Sequence, residues 1–448
     1  MISSARLLRR LPPAYRPLFD RGPFRRLLPA LAVSDLGDGM SAVAVAWLAL
    51  QVAPPGRSGL FVGAAVAAYV LPGALGALLL GGRLRGLPAR RLIRADAWTR
   101  AVFLGGIPVG WALGLLGPGL LLALLAGSSL LHGWGGSAKY ALVAEVLPAE
   151  RRLAANALLS TSGWVAMIAG PALAGALTAV VAPVWVIGLD ALSFAVLAVG
   201  AGRLSAGSDT VPEAGRDRSA GAVRRGEGLR VLRTRPELLG LLLLTWLFNL
   251  VYGPVEVALP LFVGQDLAAG PGLLGVYWAA FGAGAVLGAL AVGALRGLAV
   301  WRVLLGIVTG HGLAMLPFAV PGPAAISVVG FAVVGVVYGP YSALSLGLFQ
   351  DLTPPHALTS VLAVRSSALL TAAPAGAALG GPLTAAVGPR AVLTGVGVAM
   401  IAVAALAAGV PAMRVHRKSA GPTSGAREAG GDRSVEELAD VVPTRVDG

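Results

Sequence analysis

The chain of 448 residues contains no cysteine. Disulfides, thiol nucleophiles and Cys-ligated metals are therefore excluded. Charge is scarce as well: Asp, Glu, Lys and Arg supply 12% of the residues, against roughly a quarter in soluble domains. Lys139 and Lys418 are the only lysines, and no Gly-x-x-x-x-Gly-Lys-Ser/Thr phosphate loop occurs, so an ATP-driven pump of that design is excluded. Neither His-Glu-x-x-His nor Gly-x-Ser-x-Gly is present, which leaves no metal-and-base or nucleophile constellation for an enzyme. The expectation is no catalysis, no cofactor and no resident metal.

What the chain has is apolar length. It is 56% hydrophobic with a mean hydropathy of +0.79, and apolar runs recur that match the ~20 residues a helix needs to cross a bilayer core. The runs predict twelve spans, at 27–52, 59–82, 92–116, 118–143, 155–180, 183–203, 237–263, 271–296, 300–320, 322–348, 360–387 and 389–412. Breaks such as Ala53-Pro54-Pro55-Gly56, Gly117-Pro118-Gly119 and Pro321-Gly322-Pro323 punctuate them. The 63 glycines and 31 prolines fall largely inside the runs, where small residues let membrane helices approach closely. The fold class expected is an all-α membrane protein.

The formal charge of +14 does not make a nucleic-acid surface, because the arginines sit in short stretches between apolar runs and not on a polar face. They mark topology instead. Arg6, Arg9, Arg10, Arg16, Arg21, Arg25 and Arg26 precede span 1; Arg83, Arg85, Arg90, Arg91 and Arg94 surround the connection after span 2. Lys139, Arg151 and Arg152 flank the connection after span 4, and Arg203 to Arg235 fill the one after span 6. The positive-inside rule then places both termini in the cytoplasm. The basic start is not a cleaved signal peptide, since Asp35 and Asp38 interrupt an apolar run that continues to Gln51.

Organisation follows from composition. Residues 1–26 form a basic cytoplasmic N-terminus, 27–203 a six-helix half, 204–236 a polar cytoplasmic linker, 237–413 a second six-helix half and 414–448 a disordered tail. Leu84-Arg85-Gly86-Leu87 after span 2 is echoed by Leu295-Arg296-Gly297-Leu298 after span 8. Glu145-Val146-Leu147-Pro148 before span 5 is echoed by Gln350-Asp351-Leu352-Thr353-Pro354 before span 11, with Gly175 opposite Gly380. Two similar six-helix halves suit an alternating-access transporter with a site between them.

Several further motifs run in order along 24–412. They are Ser34-Asp35-Leu36-Gly37-Asp38-Gly39, Ala95-Asp96 with Arg100, Glu145 through Ala157, Gly170-Pro171 with Gly175, Asp190-Ala191-Leu192-Ser193-Phe194, Asn249 with Tyr252-Gly253-Pro254, and Gly339-Pro340. In these the chain resembles the major facilitator superfamily, specifically its bacterial exporter branch that includes macrolide efflux proteins and the enterobactin exporter. The resemblance implies twelve helices in two pseudo-symmetric halves and secondary active export. It also implies gating or latch roles for Arg90, Arg91, Asp96, Arg100, Lys139, Glu145 and Arg365. Gly170, Pro171 and Gly175 look like the exporter motif of span 5, where proline removes a backbone donor and glycine permits close approach. One departure stands out: Arg85 falls where the superfamily's loop Asp usually anchors a charge latch, leaving Asp96 and Glu145 as alternative carboxylates.

Ionisable residues deep in a span cost at least ~2.5–3.5 kcal/mol on insertion scales and are functional candidates for that reason. Asp38 lies about 16–18 Å along span 1, with Asp35 one turn earlier on nearly the same face. The two make a pair able to hold a proton, or Asp38 is satisfied by backbone donors or a basic side chain. Glu256, with Tyr252 and Asn249 on its face of span 7, is a third proton-coupling candidate. Asp190 in span 6 is similarly placed. Asp38, Trp47, Asn249, Tyr252, Glu256 and His311 are the substrate-cavity candidates, although tryptophans also gather at membrane interfaces and His132 or His311 can satisfy itself on a backbone carbonyl. Lys139 and Arg365 are placed to snorkel or to pair with Glu145 or Asp351.

The function expected is proton-coupled export of a small amphipathic molecule, a drug, macrolide-like antibiotic or siderophore. A nutrient importer or lysolipid flippase of the same fold is the alternative, and a non-transporting sensor or scaffold the alternative of another class. Expected partners are the substrate, protons and lipid, with no nucleic acid, for a monomer. Richness in Gly, Ala and Arg suits a GC-rich bacterial genome and hence a bacterial cytoplasmic membrane.

Overall fold

The computed structural model describes residues 18, 23–80, 84, 87–203, 227–295 and 297–410. Arg6, Arg9, Arg10, Arg16, Arg21, Arg83, Arg85, Arg216, Arg218, Arg224, Arg225 and the tail from 414 lie outside them, as do the side chains of Arg25 and Arg26.

The described chain is helical, with no strand among the described residues. Span 1 is α1 (Pro23–Val52), span 2 α2 (Ser58–Leu79) and span 3 α3 (Ala89–Ala112). Span 4 is two helices, α4 (Pro118–Ser129) and α5 (His132–Val146); spans 5 and 6 are α6 (Ala149–Thr178) and α7 (Pro183–Gly202). After the short α8 (Glu227–Thr234), span 7 is split into α9 (Pro236–Tyr252) and α10 (Val255–Leu261), the latter running into a π turn at Phe262–Asp266. Spans 8 and 9 are α11 (Pro271–Leu290) and α12 (Val300–Met315), span 10 is α13 (Ala324–Tyr338) and α14 (Tyr341–Leu352), and spans 11 and 12 are α15 (Leu358–Val387) and α16 (Pro389–Gly409).

Eleven of these spans are long and apolar enough to cross a membrane by composition alone. The twelfth, α3, falls short because Arg90, Arg91, Arg94, Asp96 and Arg100 ride on it. It is nonetheless packed against α7, α4 and α5 inside the bundle, with Asp96 and Arg100 buried. Large apolar side chains such as Val102, Val109, Leu192, Val196, Leu287, Leu290 and Leu406 lie exposed along the helices. A surface of that kind belongs against lipid.

The split spans have local causes. At Gly253-Pro254 and Gly339-Pro340 the proline cannot donate to the preceding turn. Each glycine sits where a side chain would strike a neighbour: Gly376 and Ala377 of span 11 at Gly253, Ala285 of span 8 at Gly339. The break in span 4, at Leu130 and Leu131, has neither residue. There the Leu130 carbonyl lies against Gly76 of span 2, and the Trp134 indole donates to the Gly76 carbonyl at 3.0 Å.

Spans 1–6 and spans 7–12 form two halves that meet through span 2 against span 11 and span 5 against span 8. Both seams are glycine on glycine. Gly63 abuts Gly381, and Gly175 abuts Gly275, so that a methyl group at Gly63, Gly175 or Gly275 would overlap the opposing backbone and one at Gly381 would press on it. All four glycines lie within two turns of the same end of the bundle, the one with few arginines. Within the stretch 204–236, Glu227–Thr234 is helical, Leu232 is fully buried, and Gly228 lies against Ser360 of span 11. Val231 and Leu232 give that segment apolar side chains to bury, while Leu229 is exposed.

Gly175→Val is expected to lower thermal stability by about 1–3 kcal/mol, the usual cost of overpacking, as read from melting of the purified protein in detergent. Gly136→Val, at a glycine with no atom near its missing side chain, serves as the matched control and melts within about 0.5 kcal/mol of the unaltered protein.

Candidate functional site

Arg100 is 1% exposed and begins the fourth turn of α3, about 16 Å from that helix's start at 1.5 Å per residue. This is the depth of Asp38 on span 1. The two form a salt bridge. Tyr69 of span 2 donates its hydroxyl to the Asp38 carboxylate at 2.8 Å and accepts from Arg100 Nη2 at 2.8 Å. His132, the first residue of α5 after the break in span 4, meets Arg100 Nη1 through Nδ1 at 2.6 Å. A guanidinium only donates, so Nδ1 accepts and the imidazole is neutral with its proton on Nε2. The guanidinium also lies over the Phe194 ring of span 6, 4.4 Å from its centroid. Four spans thus converge on one cation carried by a fifth.

Asp38 is a quarter exposed, whereas its partner is sealed. Asp35, expected to share a proton with Asp38, instead takes its own cation: Lys139 Nζ donates to it at 2.9 Å. The two carboxylates sit one turn apart yet belong to different ion pairs. The expected pairing of Lys139 with Glu145 does not form, because Glu145 accepts from the Ala89 amide at 3.1 Å, capping the otherwise open N-terminus of α3. Arg365 hydrogen-bonds Ser345 at 3.4 Å and lies over the Phe349 ring at 5.3 Å, away from the expected Asp351.

Asp96 and Arg100 sit deep in the bundle. Asp96 is 6% exposed and fills the space left by the missing side chain of Gly135 in α5, with Oδ1 lacking a hydrogen-bond partner. Arg90 and Arg91 lie on the first turn of α3. In span 5, Gly170 packs on the Gly39 backbone of span 1, Gly175 makes the seam with span 8, and α6 runs unbroken through Pro171.

The other half holds a second cluster without ion pairs among the described residues. His311 is fully buried, neither ring nitrogen has a hydrogen-bond partner, and its ring meets Phe248 and Tyr252 edge-on at 5.1 and 5.6 Å. Carrying the Leu84–Leu87 and Leu295–Leu298 echo forward in register sets His311 opposite Arg100. The Tyr252 hydroxyl is likewise buried without a partner, Asn249 donates to the Thr245 carbonyl at 2.8 Å, and Glu256 is half-buried one turn beyond Tyr252. Phe281, Tyr338 and Tyr341 complete the aromatic wall. Trp47 is apart from both clusters, packed against Gly264 near the arginine-poor end, while Trp164 is half exposed and Trp246 donates to Thr371 at 3.2 Å.

Tyr69 carries no charge and gave no signal in the sequence. His132 was expected on a backbone carbonyl, and only the break in span 4 turns it to Arg100.

The model of the Major Facilitator Superfamily matches residues 27–370. The chain belongs to that superfamily. The multidrug efflux pump Tap of Mycobacterium tuberculosis (strain ATCC 25618 / H37Rv) is 30% identical over 412 residues, covering 88% of this chain and 95% of that protein. Tap of Mycolicibacterium fortuitum is 27% identical over 409 residues, covering 88% and 97%. Among solved structures, a bacterial homologue of the iron transporter ferroportin in an inward-facing state matches with a TM-score of 0.64 at 18% identity, covering 86% of this chain and 96% of that one. A D-xylose–proton symporter matches with a TM-score of 0.61 at 14% identity, covering 87% and 98%. At those identities the structures speak to the fold alone. This superfamily member is therefore a multi-pass membrane transporter built on the two-half plan.

Removing one partner of a buried pair leaves the other charge uncompensated, at a cost of about 3–5 kcal/mol. Arg100→Met is expected to destabilise by that amount in detergent melts. Adding Asp38→Asn to it is expected to restore part of the loss, and strictly additive costs would refute the pairing.

Proposed function

We propose that this transporter exports small amphipathic molecules, of the drug, macrolide-like antibiotic or siderophore kind, in exchange for protons. The observation that carries this reading is the Asp38–Arg100 pair, a partly open carboxylate held by a sealed guanidinium at mid-depth in span 1. A carboxylate that can leave its cation binds a proton in its place, and that exchange is what proton coupling requires. The 30% identity to Tap across 88% of the chain supports export as the direction and drugs as the substrate class.

On this reading the arginine-rich end is cytoplasmic, as are both termini, in a bacterial cytoplasmic membrane. The two glycine seams then close the outer end, so the described state opens inward. Asp38 and Glu256 take the proton-coupling roles, with Asp35 held on Lys139 as the positioning charge of the pair. The aromatic wall of Tyr252, Phe281 and Tyr338 with His311 and Asn249 receives the apolar body of the substrate. Arg90, Arg91, Glu145 and Arg365 stay with the cytoplasmic closure. Import, lysolipid flipping and a sensor role are the outcomes that failure would favour.

Uptake of labelled macrolides, dyes and siderophores into inverted vesicles is expected to require an imposed proton gradient, to collapse with a protonophore, and to fall at least tenfold in Asp38→Asn. Undiminished gradient-driven uptake by that variant would remove Asp38 from the coupling mechanism. No uptake of any compound by inserted protein would turn the reading to import, lipid movement or sensing.

A further inference from the structure

Asp190 on span 6 is fully buried and stands outside every ion pair among the described residues. The Ser41 hydroxyl of span 1 donates to Oδ2 at 2.6 Å, and the Ser193 hydroxyl of its own helix lies 3.3 Å from Oδ1. Gly37 of span 1 is the third wall, since any side chain there would occupy the space that Oδ1 fills. A glycine and two hydroxyls therefore build a closed cup for one carboxyl group, and no cation sits in it.

Asp190 is nonetheless next to one. Phe194 follows it by four residues on the same face of span 6, and the Arg100 guanidinium lies on that ring at 4.4 Å. Asp38 of span 1, Arg100 of span 3 and Tyr69 of span 2 are the ionisable groups that act on it electrostatically. Span 5, packed on the other side of span 1, carries no titratable side chain between Leu158 and Thr178. Counting charge around Arg100 gives one guanidinium among three carboxyl groups, Asp38, Asp190 and Asp96, the last one turn before it on span 3 and seated against Gly135. An ionised carboxylate buried with no cation is far too costly to persist, so the carboxyl groups that Arg100 does not hold, Asp190 and Asp96, must be neutral; of these, Asp190 is the one that packs on span 1, against Gly37 and Ser41 beside Asp38.

We propose that Asp190 is a second proton site, alternating with Asp38 as the partner of Arg100. In the state described here Arg100 pairs with Asp38 and the proton sits on Asp190. In the other state the guanidinium pairs with Asp190, its carboxyl proton having moved to the carboxylate of Asp38. One O–H bond breaks and one forms, and the charge of the cluster is unchanged. Asp38, the partly exposed member, then exchanges that proton with water on whichever side the transporter faces. The inference rests on the proton-coupled reading above for its place in transport, but the proton's location is decided without it.

Infrared spectra of the purified protein near pH 7 are expected to show the carbonyl stretch of a protonated acid assignable to Asp190. Asp190→Asn abolishes this band. Ser41→Ala, which leaves the carboxyl group in place and removes a hydrogen bond to it, moves the band to higher frequency and identifies it even where the first variant folds poorly. Asp38→Asn also abolishes it, because Arg100 turns to Asp190 and ionises it. A band unaffected by Asp190→Asn and Ser41→Ala, or one that persists in Asp38→Asn, overturns the proposal. In proteoliposomes, ethidium uptake driven by an imposed pH gradient is expected to fall at least tenfold in Asp190→Asn, while gradient-free ethidium counterflow stays within about twofold; loss of both together overturns a coupling role. Absence of ethidium transport by the unaltered protein counts against the export reading alone, and the infrared bands still decide Asp190.

Discussion

A guanidinium buried at mid-depth in a membrane bundle is the constraint around which the N-terminal half is arranged. Even on the mild insertion scales an arginine at a span's centre costs ~2.5–3.5 kcal/mol, and Arg100 recovers that only by being paired and hydrogen-bonded on several sides. Span 1 supplies Asp38, span 2 Tyr69, span 4 the neutral His132 and span 6 the Phe194 ring. Those demands explain local features that look accidental in isolation. The break in span 4 presents His132 as a first-turn residue, and Gly135 one turn later leaves room for Asp96. Gly37 makes room for Asp190.

The second half solves the same geometry without the charge. His311 stands where Arg100 does, and its neighbours are rings rather than carboxylates: Phe248 and Tyr252, with Tyr338 stacked on Phe248 behind them. Two buried polar groups there, the His311 imidazole and the Tyr252 hydroxyl, have no partner among the described residues. Buried polar atoms are hydrogen-bonded in the great majority of cases, so unpaired ones beside an aromatic wall suit a ligand that supplies the missing contacts. On the proposed reading the first half carries the buried ion pairs, and the second an aromatic wall for the apolar solute with Glu256 beside it.

The spans themselves were legible, because length and hydropathy are properties of contiguous sequence. Asp38 was legible as an isolated charge in an apolar run, and Gly170-Pro171 as a helix contact. What sequence spacing missed depends on other helices. Asp35 and Asp38 share a face, yet which cation each meets is set by spans 3 and 4. Arg100 was given a latch role by the resemblance, although counting turns from Ala89 sets it level with Asp38. The break at Leu130 and Leu131 lacks glycine and proline, so no local signal announced it. Helix α8 was missed through its charged surroundings, although the apolar pair Val231 and Leu232 was there to read.

Three consecutive residues of span 1 face three different partners: Gly37 meets Asp190 on span 6, Asp38 meets Arg100 on span 3, and Gly39 meets Gly170 on span 5. Span 5 then continues as one helix to Gly175, where it lies against Gly275 of span 8 at the seam between the halves. A seam of facing glycines holds the halves by close backbone contact, with the Ile168 side chain of span 5 seated at Gly282 of span 8 further along it. The charge cluster and the seam are therefore the two ends of one rigid element. If Arg100 shifts from Asp38 to Asp190, spans 1 and 6 must readjust at Gly37 and Asp38. Gly39 has no side chain to absorb that movement before it reaches span 5. A packed core of this kind has discrete arrangements instead of a continuous range, so under the proposed exchange relocation of a single proton biases which side of the bundle is closed.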